Sequence, residues 1–193
     1  MGCSHNCESC SAGCGGEKSL KVAANPAATV KKVIGVVSGK GGVGKTTICG
    51  MPIEHLCQKK NGPVLAVDAD ANSNLNEVLG VEVQNTLGEI REEIAQAEMA
   101  AKSPIPPGMS KADYAEMQFS DALTEADDYD LLVMGRTQGK GCYCFVNGLL
   151  STQVAKYAQN YRYIVVDNEA GLEHLSRGIL PKVDTILLVS DCS

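Results

Sequence analysis

Residues Gly39, Lys40, Gly41, Gly42, Val43, Gly44, Lys45 and Thr46 spell G-x-x-x-x-G-K-[ST], with Thr47 directly after them. Glycines at this spacing let successive backbone amides point at one anion, and a helix that starts behind them offers its positive end to the same charge. Lys45 is placed to neutralise the β- and γ-phosphates of a nucleotide, and the Thr46 hydroxyl to complete a magnesium shell. Lys40 adds a second cation inside the loop. Three carboxylates belong with it. Asp68 and Asp70 lie in VDADANSNL, at the end of one apolar run, and Asp167 ends another, YIVVD. Ligands of an open parallel sheet collect beyond the carboxyl ends of its strands, so all three are expected near the phosphates. Asp167 reads as a Walker B carboxylate that holds magnesium through water. Either of the other two could instead cap the helix that follows.

Cysteine supplies the second kind of chemistry. Of nine cysteines, Cys142 and Cys144 form a C-x-C pair in GKGCYCFVN, and Cys3, Cys7, Cys10 and Cys14 crowd the first fourteen residues. In an extended stretch, residues two apart project to the same side and can share one metal. Two thiolates leave a tetrahedral shell half filled. Two copies of the pair across the twofold axis of a homodimer supply four sulfurs. Nickel, zinc and an iron–sulfur cluster all suit such a site. The N-terminal four could chelate a metal or a cluster by folding a flexible tail around it, or form a cysteine tail with no metal at all. Cys49, Cys57 and Cys192 are scattered and read as core or incidental residues.

The elements that must position these groups follow from composition and pattern. A chain of 193 residues, 44% of them hydrophobic, is long enough for one sizeable core. Residues 1–30 are rich in Gly, Ser, Ala and Cys without an apolar period, and read as a flexible tail ahead of one domain over 31–193. Short apolar runs at 33–38, 64–68, 131–135, 163–167 and 185–190 predict five strands, the first of which reads as a buried parallel one. Helical spacing is expected after the glycine loop, with a kink or early break at Pro52, and over 86–101, where Leu87, Ile90 and Ile94 make an apolar stripe. Further helices are expected over 145–159 and 172–179, and SPIPPGMS, 103–110, reads as a surface loop. Strands alternating with helices predict an α/β fold with a mainly parallel sheet flanked by helices. The chain stops just after its last strand, where such a sheet would continue into a covering helix, so it reads as truncated at its C-terminus.

Charge narrows the partners. Seventeen basic against 23 acidic side chains give a net charge of -6, with no Lys/Arg cluster, which argues against nucleic acid or an anionic membrane. No run approaches the roughly 18 apolar residues of a membrane span, and the N-terminus lacks the apolar core of a secretory signal. A cytoplasmic protein is expected.

With these residues in place, a family resemblance can be stated. KGGVGKT, with Lys40 as its first residue, resembles the deviant P-loop of the MinD, ParA and nitrogenase iron protein superfamily. That resemblance implies an ATP-dependent homodimer in which Lys40 reaches the partner's phosphates, and it implies ATP rather than GTP. It further implies that Asp70 orients the attacking water while Asp68 supports magnesium or the loop. DNEAG, 167–171, matches the superfamily's D-x-x-A-G second switch, in which Gly171 moves its amide toward the γ-phosphate; Glu169 departs from the small or uncharged residue usual there. From about Leu65 onward, VDADANSNL, GCYCFVN and DNEAGLEHLSRG resemble the CooC family of nickel-insertion ATPases, which mature carbon monoxide dehydrogenase and, in a sister group, acetyl-CoA synthase. This second resemblance implies that Cys142 and Cys144 bind metal at the dimer interface. The front of the chain, MGCSHNCESCSAGCGG followed by KKVIGVVSGKGGVGKT, is similar instead to Mrp-type iron–sulfur carrier ATPases. The expected function is therefore an ATP-dependent nickel metallochaperone. An iron–sulfur cluster carrier or an ATP-gated iron–sulfur reductase stands as the alternative, and a partition ATPase would leave the cysteines unused.

Overall fold

The computed structural model describes residues 32–99, 103, 105–136, 159–171 and 183–191. The expected N-terminal tail, the helices over 145–159 and 172–179, and all of Cys3, Cys7, Cys10, Cys14, Cys142, Cys144 and Cys192 lie outside the described residues.

The elements are β1 (Lys32–Ser38), α1 (Lys45–Lys59), β2 (Val64–Ala69), α2 (Leu75–Leu79), α3 (Leu87–Met99), α4 (Lys111–Ala122), β3 (Leu123–Glu125), β4 (Asp130–Val133), β5 (Tyr163–Asn168) and β6 (Thr185–Val189). The strands form one sheet in the order β3-β4-β2-β5-β1-β6. Every pairing is parallel except that of β3 with β4. The mainly parallel α/β architecture is thus as expected, with a sixth, antiparallel strand added at one edge.

Burial explains why the central strands read as unbroken apolar runs. Every residue of β2 is buried, because parallel strands are covered on both faces. Alternate side chains part to opposite sides. Leu65, Val67 and Ala69 join Leu87 of α3 and Phe119 of α4 in one cluster, while Val64 and Ala66 join Cys49 and Ile53 of α1 in the other. Each fully buried aliphatic side chain of this kind contributes about 1.5–3 kcal/mol. Leu87 and Ile90 of the expected stripe are both buried.

Pro52 corrects the expectation of a break. Helix α1 runs through it from Lys45 to Lys59 and stops only where Lys60 turns left-handed, at φ 49°. Cys49 and Ile53 on either side of the proline are both fully buried, so packing on the sheet keeps the helix continuous despite the missing N–H. Helix α4 lies in a stretch with no element expected, just beyond the surface loop. Ser110 caps it by accepting a hydrogen bond from the Asp113 amide at 3.1 Å and donating its hydroxyl to the Asp113 carboxylate at 2.7 Å. Among the described residues, no helix is long and apolar enough to cross a membrane.

Candidate functional site

Strand β1 ends in the buried Ser38, and the chain then turns outward as the exposed loop Gly39 to Gly42. The Ser38 hydroxyl donates to the Lys40 carbonyl at 2.9 Å and braces the turn. Gly42 and Gly44 have φ of 78° and 80°, a region that side chains with a Cβ rarely enter. A Cβ at either place, or at Gly39 or Gly41, would meet nothing within 4 Å. Backbone conformation, rather than crowding by the protein, therefore demands glycine at 42 and 44, and the cradle above them is open. Helix α1 begins directly behind it with no acidic residue in its first turn and no side-chain cap at Gly44. Its first amides stay available to an anion. Thr46 is half-buried there and Thr47 exposed.

Lys45, the first residue of α1, is buried, and its ammonium donates to Oδ1 of Asp167, which is completely buried. The same ammonium lies 4.0 Å from Oδ2 of Asp70. Asp167 keeps its second oxygen, Oδ2, buried and without a hydrogen-bond partner among the described residues. A buried orphan carboxylate oxygen is costly unless a ligand completes it. An orphan oxygen, an open glycine cradle and an uncapped helix end together fit a phosphate carrying magnesium, with Thr46 and Asp167 as the residues that could hold the ion.

Strand register places Asp68 beside Asp167. Its two oxygens are both used internally: Oδ1 accepts from the Asp70 amide at 3.0 Å, and Oδ2 accepts from the Leu75 amide at 2.9 Å, at the start of α2. The contact to Leu75, which opens α2, is that of the capping alternative, and the contact to the Asp70 amide braces the loop between them. Burial pushes its carboxyl up to about 6, assisted by the charges of Asp167 and Asp70 and opposed by the two amide hydrogen bonds. Asp70 is held from its other side. Its Oδ1 accepts from the Asn72 amide at 2.9 Å and from the Asn72 side chain at 3.1 Å.

Gly171, at φ 109°, donates its amide to the Ser38 carbonyl at 2.8 Å, which ties the second switch to the base of the loop. Lys40 forms an ion pair with Asp191, just beyond β6, at 2.8 Å, and both side chains are about half exposed. Cys49 lies fully buried on α1, four residues after Lys45. Burial, then the Asp167 carboxylate, raise its thiol far above the usual range, so it stays a thiol. It is a core residue, as expected. Among the described residues, no group of three or more His, Cys, Asp or Glu could hold a metal.

Lys45, Asp70 and Asp167 thus meet behind the loop. Four contributors were not foreseen. Asn168 donates its side chain to the Val36 and Val166 carbonyls at 3.2 and 3.4 Å, and so ties β5 to β1 beneath the loop. Asn72, Arg136 and Asp191 are the others. Asn72 carried a signal, since Asp-x-Asn after a strand favours side-chain-to-backbone turns. Arg136 carried none, because its partner Asn72 is 64 residues away in sequence.

A family model described as an AAA domain, AAA_31, matches residues 31–193. An uncharacterised ATP-binding protein of Methanocaldococcus jannaschii is 48% identical over 157 residues, 81% of this chain and 61% of that protein. The carbon monoxide dehydrogenase accessory protein CooC of Rhodospirillum rubrum is 30% identical over 165 residues, 79% of this chain and 60% of that protein. Of solved structures, a ParA family ATPase from Chlorobium tepidum is similar in fold, with a TM-score of 0.56 at 24% identity over 85% of this chain and 62% of that one. This chain spans about three fifths of the length of these two curated relatives. From the matched model and the phosphate loop it contains, the chain belongs to the AAA_31 family of P-loop ATPase domains.

Proposed function

We propose that this chain is an ATP-dependent metallochaperone that takes up nickel through Cys142 and Cys144 of two subunits and delivers it to a nickel enzyme of the carbon monoxide dehydrogenase kind. The observation that carries the reading is the joining of two chemistries in one domain. Lys45, Asp167 and Asp70 meet at an open glycine cradle, and the segment leaving the neighbouring strand β4 leads into the C-x-C pair. The 30% identity to CooC supports it.

In this mechanism Lys45 exchanges Asp167 for the β- and γ-phosphates of the incoming nucleotide. That exchange frees the carboxylate of Asp167, which with Thr46 would hold magnesium; the ion, when bound, neutralises charge between the phosphates. Asp70 orients a water on the γ-phosphorus. As that water adds, the bond to the β,γ-bridging oxygen breaks, leaving ADP and inorganic phosphate. Lys40 of each subunit reaches the nucleotide of the other, so hydrolysis waits for the dimer to close. Gly171 leaves the Ser38 carbonyl to donate its amide to the γ-phosphate, and the second switch thereby reports which nucleotide is present. Closure brings four sulfurs together around the cargo metal, and opening after hydrolysis lets it go.

A second reading, an iron–sulfur carrier, is favoured by Cys3, Cys7, Cys10 and Cys14. One measurement separates them. Protein purified without oxygen is expected to be colourless, to take up about one nickel per dimer, and to lose that capacity in the Cys142→Ala, Cys144→Ala double variant. Brown protein with broad visible absorption would select the cluster carrier. Nickel uptake unchanged in the double variant would move the site to the N-terminal cysteines.

A further inference from the structure

Asp70 can orient a water only if its own carboxylate is oriented. Of its two oxygens, Oδ2 faces the phosphate site, 4.0 Å from the Lys45 ammonium, while Oδ1 is held twice by Asn72, through the main-chain amide at 2.9 Å and the side-chain amide at 3.1 Å. An asparagine side chain can present either its NH2 group or its oxygen. Here the choice is set by Arg136, whose guanidinium donates to Asn72 Oδ1 at 2.6 Å. A flipped amide would put oxygen against the Asp70 carboxylate and NH2 against a guanidinium, two repulsive contacts at once. Arg136 is thus what keeps the NH2 of Asn72 aimed at Asp70.

Arg136 itself stands on a fixed base. Strand β4 pairs with β2, so that Val133 lies opposite Asp68; the Met134 amide then donates to the Asp68 carbonyl at 2.8 Å, and the Met134 carbonyl accepts from the Gly88 amide of α3, also at 2.8 Å. Gly135 turns the chain at φ 71°, with so little room that a Cβ would lie 2.3 Å from the Thr86 hydroxyl. Immediately past this turn Arg136 is exposed, and Cys142 follows six residues further on.

We propose that Asn72 and Arg136 are positioning residues for ATP hydrolysis, which hold the Asp70 carboxylate in the orientation its water requires. The proposal rests on the proposed role of Asp70 in orienting water. Arg136 holds Asn72, and Asn72 holds the carboxylate.

Steady-state ATP turnover of the full chain tests this, with nucleotide affinity measured in parallel by a fluorescent ATP analogue. Arg136→Ala and Asn72→Ala are each expected to lower kcat about tenfold while KM and nucleotide affinity stay within about twofold, because the loss is one of orientation and not of binding. The double variant should be no worse than either single one, the sign of two residues acting in series. Arg136→Lys should recover part of the loss. The Asp70→Asn variant keeps the two readings apart. If it turns over ATP normally, the role of Asp70 is wrong. If it is inactive while Arg136→Ala and Asn72→Ala keep kcat within about twofold, or if their effects multiply, positioning through Arg136 is overturned and the role of Asp70 stands.

Discussion

Asp68 and Asp167 stand side by side at matched positions of neighbouring strands, both fully buried, yet one has every oxygen satisfied by the protein and the other does not. The two therefore differ in kind: Asp68 braces the loop after β2, and Asp167 has a buried oxygen without a hydrogen-bond partner among the described residues, as its proposed part in holding magnesium requires. It also gives stability a definite dependence on pH. Burial, opposed by the two amide hydrogen bonds, lifts the Asp68 carboxyl from 3.8 to about 6, so the folded protein binds its proton more tightly than the unfolded chain does. A group raised in this way stabilises the fold below its unfolded value, and the benefit is lost as pH rises through the folded one. Thermal midpoints without nucleotide are therefore expected to fall by a few degrees between about pH 4 and pH 7. The Asp68→Asn variant should start lower, since its amide NH2 cannot accept from a backbone amide, and should lose most of that slope. A slope unchanged by the substitution would assign the titration to another group.

The Lys45–Asp167 pair yields a sharper test of burial. Replacing Lys45 by Met leaves the Asp167 carboxylate buried without its cation, at a cost of about 3–5 kcal/mol by the usual price of a broken buried pair. Adding Asp167→Asn removes the stranded charge and should restore more than half of that loss in urea denaturation, although both variants will have lost tight nucleotide binding. Destabilisation that the second substitution does not relieve would mean that Lys45 acts in the fold through its packing, not its charge.

How far the sequence revealed this arrangement varied with the range of the interaction. The inner strands were legible because parallel strands buried on both faces must be apolar throughout, as β2 is; β6 was legible as a short apolar run although Ile186 and Leu188 are exposed. The glycine loop was legible because left-handed residues at 42 and 44 leave little choice of side chain. Strand β3 escaped notice: it has three residues, none buried, and follows α4 without a break. Helix α4 escaped because its apolar face is sparse, with Phe119 and Ala122 the described residues that are buried, although Ser110 and Asp113 marked its start. Asn72 and Arg136 could not be paired in advance, since only the β2–β4 register brings residues 64 apart together.

Pro52 offers a test of packing against local propensity. Because α1 stays whole across it, the proline leaves a helical carbonyl without its partner and gains nothing visible in return. Pro52→Ala is expected to raise stability by about 1–3 kcal/mol, less than the full helix penalty because the unfolded chain also gains freedom. Denaturant midpoints with an unchanged m-value would bear this out. A lower midpoint would show that the half-buried ring fills space that alanine leaves empty.

Lys40 and Asp191 meet at 2.8 Å across the mouth of the loop, but both are about half exposed, and such pairs are worth at most about 1 kcal/mol. Their pairing is therefore weak enough to be exchanged for a phosphate in the proposed closed dimer. Asp191→Asn should leave the thermal midpoint within about a degree and should not slow hydrolysis, since it frees Lys40 for its proposed task. Lys40→Ala should behave differently. Nucleotide affinity is expected to stay within about threefold of the unsubstituted chain, while kcat falls by a factor on the order of a hundred or more, the size seen when a transition-state cation supplied across an interface is removed. Equal losses of affinity and kcat would place the lysine on its own subunit's nucleotide instead, and hydrolysis would then need no partner's lysine.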